Sequence, residues 1–209
     1  METKKNNEQC CVVSTNPELG EAYWNNQYNS GTTGWDLGEV SPPLKAYTRQ
    51  LTNKELRILI PGCGNTYEAE YLLEQGFTNI TLIDIAPELV DRLKKKFSAN
   101  PDIRIIPGDF FTHTGEYDLV LEQTFFCAID PSMRKAYVAK MKELIVPGGK
   151  IAGLLFDREF EKQGPPFGGS AGEYRNLFEN DFVFNSFDKC YNSFEKRKGT
   201  ELFVILQRK

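Results

Sequence analysis

Short apolar runs alternate with stretches of helical period along this chain, and glycine and proline mark the joins. Ile58 to Pro61 is an apolar run of strand length. Asn65 to Gln75 then reads as a helix, with Asn65 as N-cap, Glu68 in a capping-box position and Gly76 as the stop. Ile80 to Asp84 reads as a second strand. Pro87 suits the first turn of the next helix, whose Leu89, Leu93 and Phe97 recur at i, i+4 and i+8. Asp102 to Ile106 and Tyr117 to Glu122 are the third and fourth strands. Asp130-Pro131 caps a helix carrying Met133, Tyr137, Met141 and Leu144 on one stripe, and Pro147-Gly148-Gly149 ends it. Lys150 to Phe156 is a fifth strand. Beyond it, Ala171 to Asn180 reads as a short helix. Phe182 to Phe194 and Glu201 to Gln207 alternate like two strands joined by Lys196-Arg197-Lys198-Gly199. Upstream, Glu18 to Gln27 and Pro43 to Leu51 read as helices, Asn29 to Gly34 as a loop, and the polar residues 1–16 as a mobile segment. Five strand–helix alternations imply an α/β fold with a parallel, doubly wound sheet, extended by a C-terminal antiparallel pair to seven strands.

The first strand leads into Gly62-Cys63-Gly64, a turn whose backbone can approach a ligand closely. The second strand ends in Asp84, twenty residues after Gly64. That spacing brings a carboxylate to ribose hydroxyls in nucleotide-binding α/β folds. A dinucleotide fingerprint wants a third glycine, for close packing around a pyrophosphate. Here that position is Tyr67, which disfavours a nicotinamide dinucleotide and favours an adenosine ligand without phosphates, S-adenosylmethionine. Pro107-Gly108-Asp109-Phe110-Phe111 follows the third strand. Its acid beside an aromatic suits adenine, and a turn aspartate beside a core phenylalanine is the alternative.

Composition narrows the class. At 209 residues one domain, 17–209, is favoured over two. The 25 basic and 29 acidic residues give a net charge of −4, which offers no general nucleic-acid surface. Lys94-Lys95-Lys96 reads as a solvated helix face. The five cysteines, Cys10, Cys11, Cys63, Cys127 and Cys190, show no metal-ligand spacing and are read as reduced thiols of a cytoplasmic protein. No apolar run reaches membrane-spanning length, and the polar start is not read as a signal peptide. The single histidine, His113, disfavours a Ser-His-Asp hydrolase and is read as structural or solvated. Tyr23, Trp24, Tyr28 and Trp35 cluster in a segment rich in glycine and asparagine. They either pack an N-terminal helix on the core or form a lid (about 17–53) whose aromatic faces attract a sulfonium and exclude water.

Taken together, the chain resembles the thiopurine S-methyltransferase superfamily, with its thiol, thiocyanate and halide methyltransferases. The resemblance is carried by Tyr23-Trp24, Gly34-Trp35-Asp36-Leu37-Gly38, Ile60-Pro61-Gly62-Cys63-Gly64 and Leu82-Ile83-Asp84-Ile85. It continues through Phe125-Phe126-Cys127-Ala128-Ile129-Asp130-Pro131-Ser132-Met133-Arg134 and Gly164-Pro165-Pro166-Phe167, covering roughly 17 to 209. It implies the Rossmann-like class I fold of S-adenosylmethionine-dependent methyltransferases. It also implies a site: Trp24, Tyr28 and Trp35 in the lid, Gly62 under the methionine portion, Gly64 among the cofactor-binding residues, and Asp84 on the ribose. Asp109 and Phe110 would hold the adenine, and Gln123 would face the methionine end and the acceptor. The family more often has Trp at position 28, its halide and thiol branch commonly has Tyr at position 123, and members have Tyr at position 167, departures that bear on the acceptor more than on the cofactor.

Methyl transfer from a sulfonium is an in-line displacement, and a thiolate, thiocyanate or halide needs no strong base. The expected activity is methylation of a small soft nucleophile, a thiopurine, another thiol, thiocyanate or a halide, by a monomer using S-adenosylmethionine and no metal, with S-adenosylhomocysteine as product. Phe125, Phe126, Phe156 and Phe167 are candidates for an aromatic acceptor pocket, with Arg158 drawing in an anion. No catalytic base is assigned. An oxygen or nitrogen acceptor would demand one, with Asp157 or Glu122 as candidates. A fold that binds the cofactor without turnover, and a nicotinamide-dependent oxidoreductase, are the rival classes.

Overall fold

The structure is a computed structural model that describes residues 19–162 and 164–209. The segment expected to be mobile, 1–16, lies outside the described residues, as do Cys10 and Cys11. Seven strands form one sheet: β1 (Ile58–Pro61), β2 (Ile80–Asp84), β3 (Ile103–Pro107), β4 (Tyr117–Gln123), β5 (Ile145–Phe156), β6 (Phe182–Lys189) and β7 (Glu201–Arg208). Their order is β3-β2-β1-β4-β5-β7-β6. The first five run parallel, and β7 lies antiparallel between β5 and β6.

Every residue of β1 and of β2 is buried, because helices cover both faces of the sheet. On one face, α2 (Pro42–Thr48), α3 (Tyr67–Glu74) and α4 (Pro87–Lys96) bury Leu44, Leu72, Phe77, Leu89 and Leu93. On the other, α5 (Arg134–Leu144) and α6 (Ala171–Phe178) bury Tyr137, Met141, Tyr174 and Phe178. α1 (Glu21–Asn29) lies against α4, where Asn25 Oδ1 accepts the Glu88 N–H at 2.9 Å. The strand order reverses between β1 and β4, and a ligand crevice belongs outside the carboxyl ends of the strands at such a switch point.

Several sequence expectations are corrected at element ends. α3 starts at Tyr67, because Thr66 takes a left-handed conformation with φ 55° and makes no side-chain cap bond. Asn65 does not cap the helix; its amide nitrogen donates to Asp36. Glu68 is buried and makes no side-chain bond back to Asn65, so the capping box does not form. β5 begins at Ile145 and runs through Pro147-Gly148-Gly149. Tyr117 pairs with Ile145 and Leu119 with Lys150, so the Pro-Gly-Gly turn bulges out of the ladder without ending it. β6 stops at Lys189, and Glu195–Arg197 forms a 3-10 turn before β7.

Candidate active site

A cavity of about 600 Å³ opens over the carboxyl ends of the parallel strands. Its floor is built from the turns that follow them: Gly62, Asp84, Asp109 with Phe110, and Thr124 with Phe125. Asp84 closes β2 and is 7% exposed. Its two oxygens accept from the Gly64 N–H at 3.2 Å and the Ala86 N–H at 3.0 Å. Burial nevertheless outweighs these bonds and pushes its carboxyl up to about 6. The Asp109 side chain accepts from the Phe111 N–H at 2.9 Å, which fixes the 3-10 turn Phe110–Thr112. Phe110 is held edge-on between Phe111 and Phe125, at 5.4 and 5.1 Å between ring centres.

The glycine turn is as tight as its sequence implies, for a reason the sequence did not show. Gly62 has φ +53°, and a Cβ there would lie 2.3 Å from the Phe125 ring. Phe125 therefore packs directly on the turn. Gly64 does not reach the main cavity but lines a smaller cleft of about 50 Å³ beside it, together with Gln123 and Thr66. Both polar atoms of the Gln123 amide and the Thr66 hydroxyl are buried without a hydrogen-bond partner among the described residues.

Trp24, Tyr28 and Trp35 line the cavity, and Trp24 and Tyr28 also pack against the core. Trp35 meets Trp24 edge-on at 5.5 Å and Tyr28 at 5.7 Å. Trp24 and Tyr28 thus meet both the cavity and the core. Burial, then the neighbouring Asp84, drives the Tyr28 phenol well above its ordinary range, so it stays protonated. Two fasteners hold this aromatic segment. Asp36 accepts from Asn65 and from the Tyr67 hydroxyl, the latter at 3.3 Å. Arg197, from the distant β6–β7 connection, donates to the Trp35 carbonyl at 2.6 Å. Sequence reasoning missed both, and the Gly34-Trp35-Asp36 motif was the only local signal available.

One wall of the cavity is aromatic and cationic. The acceptor-pocket candidates Phe125, Phe156 and Arg158 are among the lining residues, as are Phe160, Pro165, Pro166, Phe194, Lys196 and Arg197. Two acceptor-pocket candidates are corrected. Phe126 is 1% exposed and packs against Tyr137, Tyr174 and Phe178, so it belongs to the core. Phe167, whose backbone N–H donates to the Cys127 carbonyl at 2.7 Å, is not among the lining residues, whereas Pro165 and Pro166 are.

Both candidate bases are structural. Glu122, at the end of β4, is 1% exposed. One of its oxygens accepts from Phe125 and Phe126 N–H at 2.8 and 2.9 Å, and the other from the Tyr137 hydroxyl at 2.6 Å. Asp157 accepts from the Ala171 N–H and pairs with Lys189 at 2.5 Å, which holds its carboxyl below the usual range. Neither lines the cavity. His113 bonds the Tyr117 hydroxyl at 2.7 Å, away from the site, and burial lowers its pKa. Cys63, Cys127 and Cys190 are buried free thiols. Among the described residues no helix is long and apolar enough to cross a membrane.

A seven-stranded sheet with a reversed C-terminal pair and a crevice at its switch point is the class I methyltransferase fold. The crystal structure of the Burkholderia thailandensis 1,6-didemethyltoxoflavin-N1-methyltransferase, with S-adenosylhomocysteine bound, superimposes on 90% of this chain and 86% of its own, with a TM-score of 0.73 at 18% identity. The chain belongs to the thiopurine S-methyltransferase family, whose model matches residues 19–205. A probable thiol methyltransferase 2 of Arabidopsis thaliana is 31% identical over 159 residues, 74% of this chain and 70% of the relative. The thiocyanate methyltransferase 1 of Brassica oleracea is 27% identical over 187 residues, 87% and 82% of the two chains.

Proposed function

We propose that this protein is an S-adenosylmethionine-dependent methyltransferase acting on a small soft nucleophile: a sulfur acceptor (thiopurine, other thiol or thiocyanate) or a halide. Family membership supports the class. The observation that carries the site assignment is one cavity lined both by the Asp84 and Asp109 carboxylates and by a stacked wall of Arg197, Phe156, Phe160 and Arg158. The residues fit the methyl donor. Asp84 offers acceptors for ribose hydroxyls, and Asp109 with Phe110 offers a carboxylate and a ring face for adenine. Gln123 and Thr66, buried and unpartnered among the described residues, fit the amino-acid end beside the glycine turn. Trp24, Tyr28 and Trp35 exclude water above it.

The donor, when bound, supplies a methyl group on a sulfonium that departs as a neutral thioether and needs no proton. The chain's own work is alignment and exclusion of water. Glu122 fastens the loop that sets Phe125 against Gly62, fixing the wall beside the reacting centre. The cationic wall draws a soft anion toward that centre. No side chain is assigned as base, in keeping with a thiolate or halide nucleophile and with the structural employment of Glu122 and Asp157. We place the protein in the cytoplasm as a monomer acting on small molecules, without nucleic-acid or membrane partners. Its net charge of −4 and its buried thiols support that placement.

A thermal-shift titration with S-adenosylmethionine, S-adenosylhomocysteine and NAD tests the reading, because a ligand of the folded state raises Tm as its concentration passes Kd. Shifts with the first two and none with NAD are expected. Methyl transfer to thiols, thiocyanate and iodide is then measured. Absence of both sulfur-ligand shifts would overturn the assignment, and binding without transfer to any of these acceptors would leave a non-catalytic binding fold.

A further inference from the structure

The cationic wall is more elaborate than a soft single-charged nucleophile requires. Arg197 stacks its guanidinium over the Phe156 ring at 5.5 Å, Phe156 meets Phe160 edge-on at 5.0 Å, and Arg158 stacks over Phe160 at 4.8 Å. Two guanidinium groups thus flank a phenylalanine pair on one side of the cavity. Arg158 is set by its backbone as well. Its carbonyl accepts the Gly169 N–H at 2.9 Å, and a Cβ on Gly168 would lie 2.1 Å from that carbonyl, so the chain returns tightly over it. The Arg158 Nε donates to the Glu159 carbonyl at 3.2 Å, which leaves both Nη groups for other partners.

Charge pairing separates these cations. Lys189 pairs with Asp157, Arg197 with Glu201 and Lys198 with Glu195. Arg158 and Lys196, both lining the cavity, form no ion pair among the described residues. A thiolate or halide presents one soft charge, and the positive sulfonium of the methyl donor already attracts it. Hard, forked donors such as guanidinium match a carboxylate-type oxyanion. The cavity also has room for more than a lone ion beside the donor.

We propose that the acceptor carries a second anionic group, a carboxylate or comparable oxyanion, apart from its nucleophilic sulfur. Arg158 and Lys196 receive that group against the Phe156–Phe160 wall. The inference rests on the methyltransferase reading and narrows its substrate class to an anionic thiol of modest size.

Two matched thiols, 4-mercaptobenzoate and 4-methylbenzenethiol, test it with the full chain at low ionic strength. The expected kcat/KM favours the carboxylated thiol by about tenfold or more, as charged hydrogen bonds allow. In the double variant Arg158→Gln/Lys196→Gln that ratio falls toward unity, chiefly through KM for the carboxylated thiol. Lys94→Gln, on α4 outside the cavity, keeps the wild-type ratio. Binding of 4-(methylthio)benzoate against 4-(methylthio)toluene, by calorimetry, gives a readout that needs no turnover, with the same ratio expected to collapse in the double variant. Equal handling of the two members of each pair by the wild type, or a preference surviving the double variant, overturns the proposal. Selective anion binding without methyl transfer would instead refute the methyltransferase reading and leave the anion subsite standing.

Discussion

Replacing Glu122 by Gln isolates the energetic consequence of ending a central strand in a buried carboxyl. The carboxyl is 1% exposed, and burial raises it from 4.5 to about 7 in spite of the three hydrogen bonds it accepts. In the unfolded chain it titrates near its ordinary value. Between those limits the folded state holds the extra proton, so stability falls as pH rises. Its contribution is fully present below about 4.5 and lost as pH passes through about 7. At about 1.4 kcal/mol per pH unit the loss amounts to about 3 kcal/mol. Gln keeps an oxygen for the Phe125 and Phe126 N–H groups and a nitrogen that can donate to the Tyr137 oxygen, but it cannot titrate. The assay is urea unfolding of both proteins from pH 4.5 to 9, plotted as the difference between them. Other titrating groups, Asp84 among them, cancel in that difference. The variant is expected to gain about 3 kcal/mol on the wild type between pH 4.5 and 8, then hold level. An offset at pH 4.5 would measure the second amide hydrogen, which has no partner in that apolar setting. A difference that stays flat across the whole range would refute the burial argument.

Gly62→Ala combines a left-handed φ of +53° with a Cβ 2.3 Å from the Phe125 ring. A loss of about 2–4 kcal/mol in urea unfolding is expected, with the S-adenosylmethionine thermal shift abolished. Asp84→Asn should weaken S-adenosylmethionine binding about 10- to 100-fold by calorimetry. In the wild type that affinity should fall as pH drops through about 6, because ribose hydroxyls donate to the charged carboxylate. Arg197→Met removes the donor to the Trp35 carbonyl and unpairs buried Glu201. It should lower Tm and raise the rate of hydrogen exchange in 20–38, whereas unchanged exchange there would show that the segment is held without it.

Most of the fold was legible in order. β1 and β2 match their apolar runs residue for residue, because strands buried on both faces leave an uninterrupted apolar signature. Pro87 starts α4, and Gly76, with φ +83°, follows the end of α3. The errors fell where tertiary partners decide. Asn65 has the composition of an N-cap, but Asp36 claims its amide from 29 residues upstream. Pro147-Gly148-Gly149 has the composition of a break, yet β4 on one side lets β5 run through it as a bulge.

The site divides in the same way. Asp84, Asp109, Gly62 and the aromatics Trp24, Tyr28 and Trp35, which line the cavity, were legible as candidates because each lies at a strand end or in a local cluster. Phe125 and Phe126 are adjacent and chemically alike, and the sequence could not separate them. The two N–H bonds to Glu122 fix the backbone so that one ring enters the cavity and the next enters the core. Likewise, only the fold brings Arg197, 162 residues from Trp35, to the Trp35 carbonyl, and only it turns Glu122 from a candidate base into a fastener. The sequence by itself determined the parallel sheet and the turns at its carboxyl edge, since backbone freedom and apolar period act locally. Tertiary structure decided which side chains share the cavity, since burial and long-range hydrogen bonds choose among neighbours that local chemistry treats alike.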